Sequence, residues 1–259
     1  MQIATTLLPH ADQAISDRIG SGDTAVVIDV LRATSVMCTA LQNGAETLIT
    51  CRKVTQARAT AEEISPTPLL CGERGCKPID GFDLGNSTSE YTVDRVGGRT
   101  LILTTTNGTR AIEYAGQASE LITASFLNVS AVIDYLSKCN SVHLVCAGTE
   151  GEITVEDVLL AGALVARCES QLAAEIRDDD SLLARQLWHS WFPHTNETTS
   201  EELAERLRET RGGRNLLSVG YDRDLERCAE MDSVNCVPVR MSKTPATFRS
   251  NELCVSADP

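Results

Sequence analysis

AVVIDVLRATS, residues 25–35, is the stretch from which the fold is most directly inferred. Apart from Asp29, its first six residues form an apolar, mostly β-branched run, which is typical of a buried strand. A helix predicted over residues 33–42 follows at once and ends at Asn43-Gly44, a good C-cap pair. A strand that leads directly into a helix is the repeating unit of α/β proteins, so the stretch predicts an α/β fold.

The same alternation continues through the first two thirds of the chain. Because the predicted strands are apolar throughout, we expect helices to cover both faces of the sheet. The prediction is a three-layer α/β/α fold with a mostly parallel or mixed sheet. The strands are predicted over residues 3–8, 25–30, 47–51, 68–71, 99–104, 120–124 and 142–147, and further helices over residues 54–64, 109–114, 129–138 and 155–169.

The last third of the chain has a different composition. Residues 170–214 are charged and show no strand signal, so they predict a helical insertion whose charged residues form a solvated face. Residues 216–239 predict a small C-terminal α/β element, with a helix around 225–230 and a strand over 235–239, and the last twenty or so residues resemble a tail. Residues 1–150 are therefore predicted as the α/β core with most site loops, and residues 151–259 as the remainder.

The charge balance limits the kind of partner. Asp and Glu number 36 against 23 Lys and Arg, which gives a net charge of -13. Nucleic acids and anionic membranes require a basic surface, so neither is expected as a partner. A small anion is still a possible ligand of this acidic chain if a few Lys or Arg side chains gather in one pocket. The sequence is also compatible with a homodimer.

Two further features bear on location. No apolar run approaches the roughly 20 residues of a membrane span. The ten cysteines lie mostly within apolar runs with no signal peptide ahead of them, which predicts reduced thiols and a cytoplasmic protein.

Polar side chains follow four of the predicted strands at the point where each strand ends. In open α/β sheets, ligands bind beyond the carboxyl ends of the strands. We therefore expect these side chains to form one site. The candidates are Asp29, Arg32, Thr34, Ser35, Glu73, Arg74, Thr105, Thr106, Asn107, Gly108, Thr109, Arg110, Gly148, Glu156 and Asp157.

The run TTTNGTR, residues 104–110, is the most informative of these segments. A hydroxyl-rich strand end that turns through Asn-Gly into a helix presents N–H and hydroxyl groups to an anion. The Arg110 guanidinium is available for a bidentate contact with the same anion. The alternative is an Asx turn with ordinary N-capping. The Gly-x4-Gly-Lys spacing of a Walker loop is absent.

Three carboxylates are candidates for metal binding. Asp29, at a strand end, could bind a metal or act as a nucleophile, whereas position 31, where some phosphatases carry a second Asp, is Leu. Glu156 and Asp157 open a helix, where the helix dipole favours carboxylates even without a function. Together the three would supply oxygen ligands for Mg²⁺. Histidine and cysteine do not occur at zinc spacing, so zinc or a Ser/His/Asp triad is not expected.

Five segments together resemble the 2-phosphosulfolactate phosphatase family. They are DVLRATS at residues 29–35, CGERG at 71–75, GFDLGNS at 81–87, TTTNGTR at 104–110, and CAG at 146–148 with Glu156-Asp157. A weaker sixth segment lies at residues 219–225 and 237–239. Position 88 is Thr where the family usually has Pro, which affects the rigidity of that loop.

The resemblance implies hydrolysis of the phosphate ester of a three-carbon sulfonated hydroxy acid, with Mg²⁺ required, as a step toward coenzyme M. It implies that Asp29, Glu156 and Asp157 hold Mg²⁺ and that Arg32, Arg74 and Arg110 bind the anionic groups of the substrate. Asp29, Arg32, Glu73 and Asn107 are then the catalytic candidates, with Glu73 holding Arg74 or a metal-bound water. The candidates for binding the substrate are Arg74, Thr105, Thr106, Asn107, Gly108, Thr109, Arg110, Thr34, Ser35 and Gly148.

Two other functions fit the same residues. One is a broader phosphatase for small phospho-hydroxy acids, because family membership defines the site better than the substrate. The other is a non-catalytic module that binds phosphate or a nucleotide, although four candidate carboxylates are more than such a module needs.

Overall fold

A computed structural model describes residues 1–9, 19–193 and 198–251 of the chain. The strands are β1 (Gln2–Thr6), β2 (Thr24–Ile28), β3 (Thr47–Thr50), β4 (Leu69–Arg74), β5 (Lys77–Pro78), β6 (Thr100–Thr104), β7 (Glu120–Ala124), β8 (Ser141–Cys146), β9 (Glu175–Ile176), β10 (Pro238–Lys243) and β11 (Ala246–Ser250). The helices are α1 (Ala33–Gln42), α2 (Val54–Glu62), α3 (Val93–Val96), α4 (Gly108–Tyr114), α5 (Val129–Leu136), α6 (Val155–Leu172), α7 (Asp179–Trp191), α8 (Ser200–Glu209), α9 (Arg211–Ser218) and α10 (Asp222–Cys228).

The strands form one mixed, mostly parallel sheet in the order β5-β4-β6-β3-β11-β10-β7-β2-β8-β1-β9. Its two faces belong to different hydrophobic clusters, as β2 illustrates. Val26 and Ile28 lie in a cluster with residues of α5 and α6, whereas Ala25 and Val27 lie in a cluster with residues of α1 and α4. The predicted α/β class and the mixed sheet are therefore confirmed.

The C-terminal strands lie in the middle of this sheet. β10 and β11 form an antiparallel hairpin that separates a parallel block of β4, β6 and β3 from a parallel block of β7, β2, β8, β1 and β9. The prediction of a single strand over 235–239 and a tail was wrong for residues 238–250. Only a few side chains of the hairpin, such as Phe248, are fully buried, so its sequence carries a weak strand signal.

The segment over residues 170–214 also contributes to the core. It contains the short strand β9, which pairs with β1 and was not predicted. Helix α7 packs closely on α6, because a Cβ at Gly162 would overlap the Ala184 carbonyl. Trp188 and Leu207 are buried, so this predicted insertion has a packed face as well as a solvated one.

The two parallel blocks meet at their carboxyl ends. The junctions β3–β11, β11–β10 and β10–β7 are all antiparallel, so the two blocks run in opposite directions along the sheet. At about 20–25° per step, five steps from β6 to β2 turn the strand direction by about 100–125°. The contacts described below show that the loops after β2 and β8 meet those after β4 and β6.

Among the helices of the described residues, none combines the length and the apolar character needed to cross a membrane.

The hairpin yields a prediction about stability. Phe248→Ala should lower the free energy of unfolding by about 3–5 kcal/mol, because it leaves a cavity in the centre of the sheet. Met241→Ala on the same hairpin is the matched control, since Met241 is 64% exposed and its loss should cost less than about 0.5 kcal/mol. Urea denaturation of both variants measures the difference, and equal costs would show that the hairpin is not part of the core.

Candidate active site

The loops after β2, β4, β6 and β8 enclose a cavity of about 90 Å³. This volume suits a small molecule. Segments from the last third of the chain complete its wall. The lining residues are Asp29, Leu31, Arg32, Glu73, Gly75, Cys76, Asn86, Thr105, Thr106, Asn107, Thr149, Glu150, Gly212 and Asn215.

Asp29 is buried where β2 leads into α1. Its Oδ1 accepts a hydrogen bond from the Ala33 N–H at 3.2 Å, and the Gly108 N–H donates a second one to the carboxylate. Gly108 is required here, because a Cβ at that position would lie 2.7 Å from Asp29 Oδ2. Burial raises the pKa of Asp29 to about 7, and the negative charges of Glu73 and Glu156 add to the rise.

Glu73 joins the loop after β4 to the loop after β6. Its Oε1 accepts hydrogen bonds from the N–H and the hydroxyl of Thr106, at 2.8 and 2.9 Å, and its Oε2 accepts one from the Cys76 N–H at 2.9 Å. Glu73 therefore holds the threonine-rich loop in place. The predicted partner Arg74 does not bond to this carboxylate.

Glu156 and Asp157, at the start of α6, differ in their bonding. Asp157 Oδ1 accepts from the Val30 N–H at 2.9 Å, and Oδ2 accepts from the Gly148 N–H at 3.0 Å and the Thr154 hydroxyl at 3.3 Å. Glu156 Oε2 is buried with no hydrogen-bond partner among the described residues. Burial raises the pKa of both side chains, and the charges of Asp29 and Glu156 raise that of Asp157 further.

The three predicted metal ligands do not form a ready-made cluster. Within residues 1–9, 19–193 and 198–251, no three Asp, Glu, His or Cys side chains are gathered closely enough to hold a metal ion. Asp29 lines the cavity, Glu156 lies behind Gly212, and Asp157 bonds to the backbone of neighbouring loops. A metal at this site would need water or substrate oxygens as further ligands.

Arg32 is the one Lys, Arg or His side chain among the described residues that line the cavity. Its NH1 donates to Asp224 Oδ2 at 2.5 Å, and its NH2 donates to the Cys76 carbonyl at 3.0 Å. The guanidinium also lies over the Tyr221 ring, 4.4 Å from the ring centroid. The side chain is thus fixed on three sides.

The other two predicted arginines bond to protein backbone. Arg74 donates to the carbonyls of Glu73, Thr104 and Arg52, and Arg110 donates to the Ala147 carbonyl at 3.3 Å. Neither is among the described residues that line the cavity. They bind the site loops to one another, because strand-end carbonyls lie within reach of their long side chains.

Within residues 104–110, some side chains line the cavity and others form hydrogen bonds within the protein. Thr105, Thr106 and Asn107 line the cavity, where they can meet an anion. The Thr109 N–H donates to the Thr105 hydroxyl at 3.3 Å, so Thr105 satisfies one N–H group in the first turn of α4 from two residues before the N-cap residue Asn107. Asn107 does not cap the helix with its side chain, and its Oδ1 accepts from the Glu150 N–H instead.

Four other predicted binding residues bond within the protein. The hydroxyls of Thr34, Ser35 and Thr109 donate to the carbonyls of Asp29, Val30 and Thr105, respectively. Gly148 donates its N–H to Asp157 and has a positive φ of 62°. All four shape the loops around the cavity.

Several cavity residues were not among the predicted ones. Asn86 belongs to the quoted segment 81–87 and lies buried with no partner for its Oδ1 among the described residues. Gly212 and Asn215 come from α9, which carried no motif. Arg211 of the same helix forms a salt bridge of 2.9 Å with Glu150 and a second one with Glu152, and so ties α9 to the loop after β8.

Comparisons with known proteins place this chain among the phosphoric monoester hydrolases, which are enzymes. The chain belongs to the 2-phosphosulpholactate phosphatase family, whose family model matches residues 10–243. The resemblance inferred from the sequence segments is confirmed.

Individual relatives agree with this family. A probable 2-phosphosulfolactate phosphatase of Thermotoga petrophila is 42% identical over 215 residues, which cover 83% of this chain and 88% of the relative. That of Caldanaerobacter subterraneus is 40% identical over 87% of this chain and 90% of its own length. That of Clostridium acetobutylicum is 34% identical over 90% of this chain and 95% of its own length.

The raised pKa of Asp29 predicts how stability depends on pH. The pKa of the Asp29 carboxyl group is about 7 in the folded chain, compared with an ordinary value of 3.8. Between these two pH values the folded chain therefore binds more protons than the unfolded chain. The free energy of unfolding of the metal-free chain should therefore fall as the pH rises from about 4 to about 7. Raised pKa values of Glu156 and Asp157 act in the same direction.

Urea denaturation across this pH range, in EDTA, measures the effect. Asp29→Asn should flatten the fall, because the amide does not titrate, whereas Asp94→Asn at an exposed position should leave it unchanged. An equally steep fall in the Asp29→Asn variant would contradict the assignment.

Proposed function

We propose that the chain is a Mg²⁺-dependent phosphatase that hydrolyses 2-phosphosulfolactate to sulfolactate and phosphate. The observation that carries this proposal is a small cavity at the carboxyl ends of the strands, which Asp29, Glu73 and Arg32 all line. The printed names of the relatives, probable 2-phosphosulfolactate phosphatases, support the choice of substrate.

The charge of the cavity supports a divalent cation. The substrate carries phosphate, carboxylate and sulfonate groups, yet the site gathers the buried carboxyl groups of Asp29, Glu73, Glu156 and Asp157. The charge of Arg32 is already offset by Asp224. Without an additional positive charge, the carboxylates would repel the substrate and one another.

The oxygen atoms of the site fit such a cation. Mg²⁺ is usually bound by one or two carboxylates together with water and substrate phosphate oxygens. Asp29 lines the cavity, and Glu156 Oε2 has no hydrogen-bond partner among the described residues. We assign these two carboxylates to the metal, and Asp157 to fixing the backbone of Val30 and Gly148. Bound Mg²⁺ would offset the negative charge that develops on the phosphoryl oxygens during transfer.

The remaining residues bind and orient the substrate. Arg32 presents a rigid guanidinium, which suits bidentate contact with a phosphate, sulfonate or carboxylate group. Thr105, Thr106 and Asn107 offer hydroxyl and amide donors for the phosphoryl oxygens, and Glu73 fixes Thr106 through two hydrogen bonds. Asn86 Oδ1 is an acceptor for a water or hydroxyl group.

The hydrogen bonding of Asp29 favours attack by water. Two backbone N–H groups donate to its carboxylate and already engage two of its lone pairs. We therefore assign Asp29 to holding the metal and the attacking water, and not to a covalent intermediate.

We also propose that the enzyme acts in the cytoplasm, in a step toward coenzyme M. Cys146, Cys168 and Cys228 are buried free thiols, which is typical of a reducing compartment.

Phosphate release from a panel of substrates tests the function. The chain should release phosphate from 2-phosphosulfolactate with kcat/KM at least about tenfold above phospholactate and phosphoglycolate, since a site that pairs with an anionic group discriminates against its absence. EDTA should abolish turnover and Mg²⁺ should restore it. Asp29→Asn should lower kcat by about 100-fold or more, whereas the exposed Asp94→Asn should not change it.

Three different results would each contradict a different part of the proposed function. Equal turnover of phospholactate would favour the broader phosphatase, and turnover in EDTA would remove the metal from the mechanism. Phosphate binding without turnover at high protein concentration would favour a non-catalytic module.

A further inference from the structure

A buried network behind the cavity connects Arg32 to the C-terminal helix α10. The Arg32 and Asp224 side chains are 2% and 3% exposed, and their charged atoms are 2.5 Å apart. Asp224 Oδ1 accepts a second hydrogen bond, from the Ser87 hydroxyl at 2.6 Å. Both oxygens of Asp224 are therefore engaged, one by Arg32 and the other by the loop that carries Asn86.

The network restricts the guanidinium to one orientation. Asp224 holds NH1, the Cys76 carbonyl holds NH2 at 3.0 Å, and the Tyr221 ring covers one face. A guanidinium has five N–H donors, so donors remain for a ligand in the cavity that Arg32 lines. An arginine without these partners would have several rotamers, and the donors would not point consistently at one anion.

The same network also determines how much positive charge Arg32 presents to an anion in the cavity. In a buried environment, the carboxylate of Asp224 offsets much of the positive charge of Arg32. Asp224 itself is not among the described residues that line the cavity, so it acts on a ligand through Arg32 and does not touch it.

We propose that Asp224 is a positioning residue of this enzyme: it fixes the direction of the Arg32 donors and moderates their attraction for anions, so that substrate is aligned for transfer and phosphate is released. Ser87 fixes Asp224 in turn. The proposal rests on the proposed function only in assigning an anionic group of the substrate to Arg32.

Asp224→Asn separates this role from a purely structural one. The amide keeps the shape of the Asp224 side chain but removes its negative charge. Arg32 should therefore bind anions more tightly, but in a less fixed orientation. We expect inorganic phosphate, titrated calorimetrically in the presence of Mg²⁺, to bind about 5–10-fold more tightly. We expect kcat for 2-phosphosulfolactate to fall about tenfold or more, with KM unchanged or lower. A structural defect would weaken both phosphate binding and turnover.

Asp222→Asn is the matched control, because Asp222 lies on the same helix, is 52% exposed and pairs with Arg208 at the surface. It should leave both quantities unchanged. Phosphate affinity that is unchanged, weaker or undetectable in a folded Asp224→Asn variant overturns the proposal. This result does not depend on the substrate, so it is separate from a failure of the proposed function.

Ser87→Ala provides a second test if Asp224→Asn does not fold. This variant removes one hydrogen bond to Asp224 and keeps its charge. The expected result is a kcat about 3–10-fold lower with unchanged affinity for phosphate. A kcat equal to that of the unaltered chain would overturn the proposal.

Discussion

The burial of several carboxyl groups is the constraint on which the site depends. Asp29, Glu73, Glu156 and Asp157 are withdrawn from water around one cavity, and burial raises the pKa of Asp29, Glu156 and Asp157. Burying carboxylates without compensation is unfavourable, so a protein that keeps them has a use for a bound cation or for a shared proton. An acidic chain that acts on an anionic substrate needs positive charge near that substrate, which is why we propose a cation for this site.

The fold makes this arrangement possible through close backbone approaches and through the inserted hairpin. Gly108 brings the start of α4 against Asp29, and Gly212 brings α9 against Glu156, in both cases with no room for a Cβ. The hairpin of β10 and β11 separates two parallel blocks, whose carboxyl ends converge at the cavity. Backbone N–H groups then bind Asp29, Glu73 and Asp157, and so hold three of the four carboxylates in fixed positions.

Much of this could be predicted from the sequence, and the exceptions have physical causes. The α/β class followed from buried strands that lead into helices, and Asp29, Arg32, Glu73 and Thr105–Asn107 lie at the cavity because loops at strand ends were the correct place to look. The directions of Arg74 and Arg110 could not be predicted, since a long side chain takes whichever carbonyl the tertiary structure places near it. The hairpin was missed because few of its side chains are fully buried, which leaves a weak apolar pattern. Asp224 and Gly212 were missed because their roles come from contacts between segments more than 50 residues apart in the chain.

A crystal structure of the chain grown with Mg²⁺ and sulfolactate would test the central claim most directly. The account predicts a cation coordinated by Asp29 and an anionic group of sulfolactate on the Arg32 guanidinium, with the Arg32–Asp224 pair intact. A cation bound away from Asp29, or sulfolactate ordered elsewhere while Arg32 contacts no ligand, would contradict it.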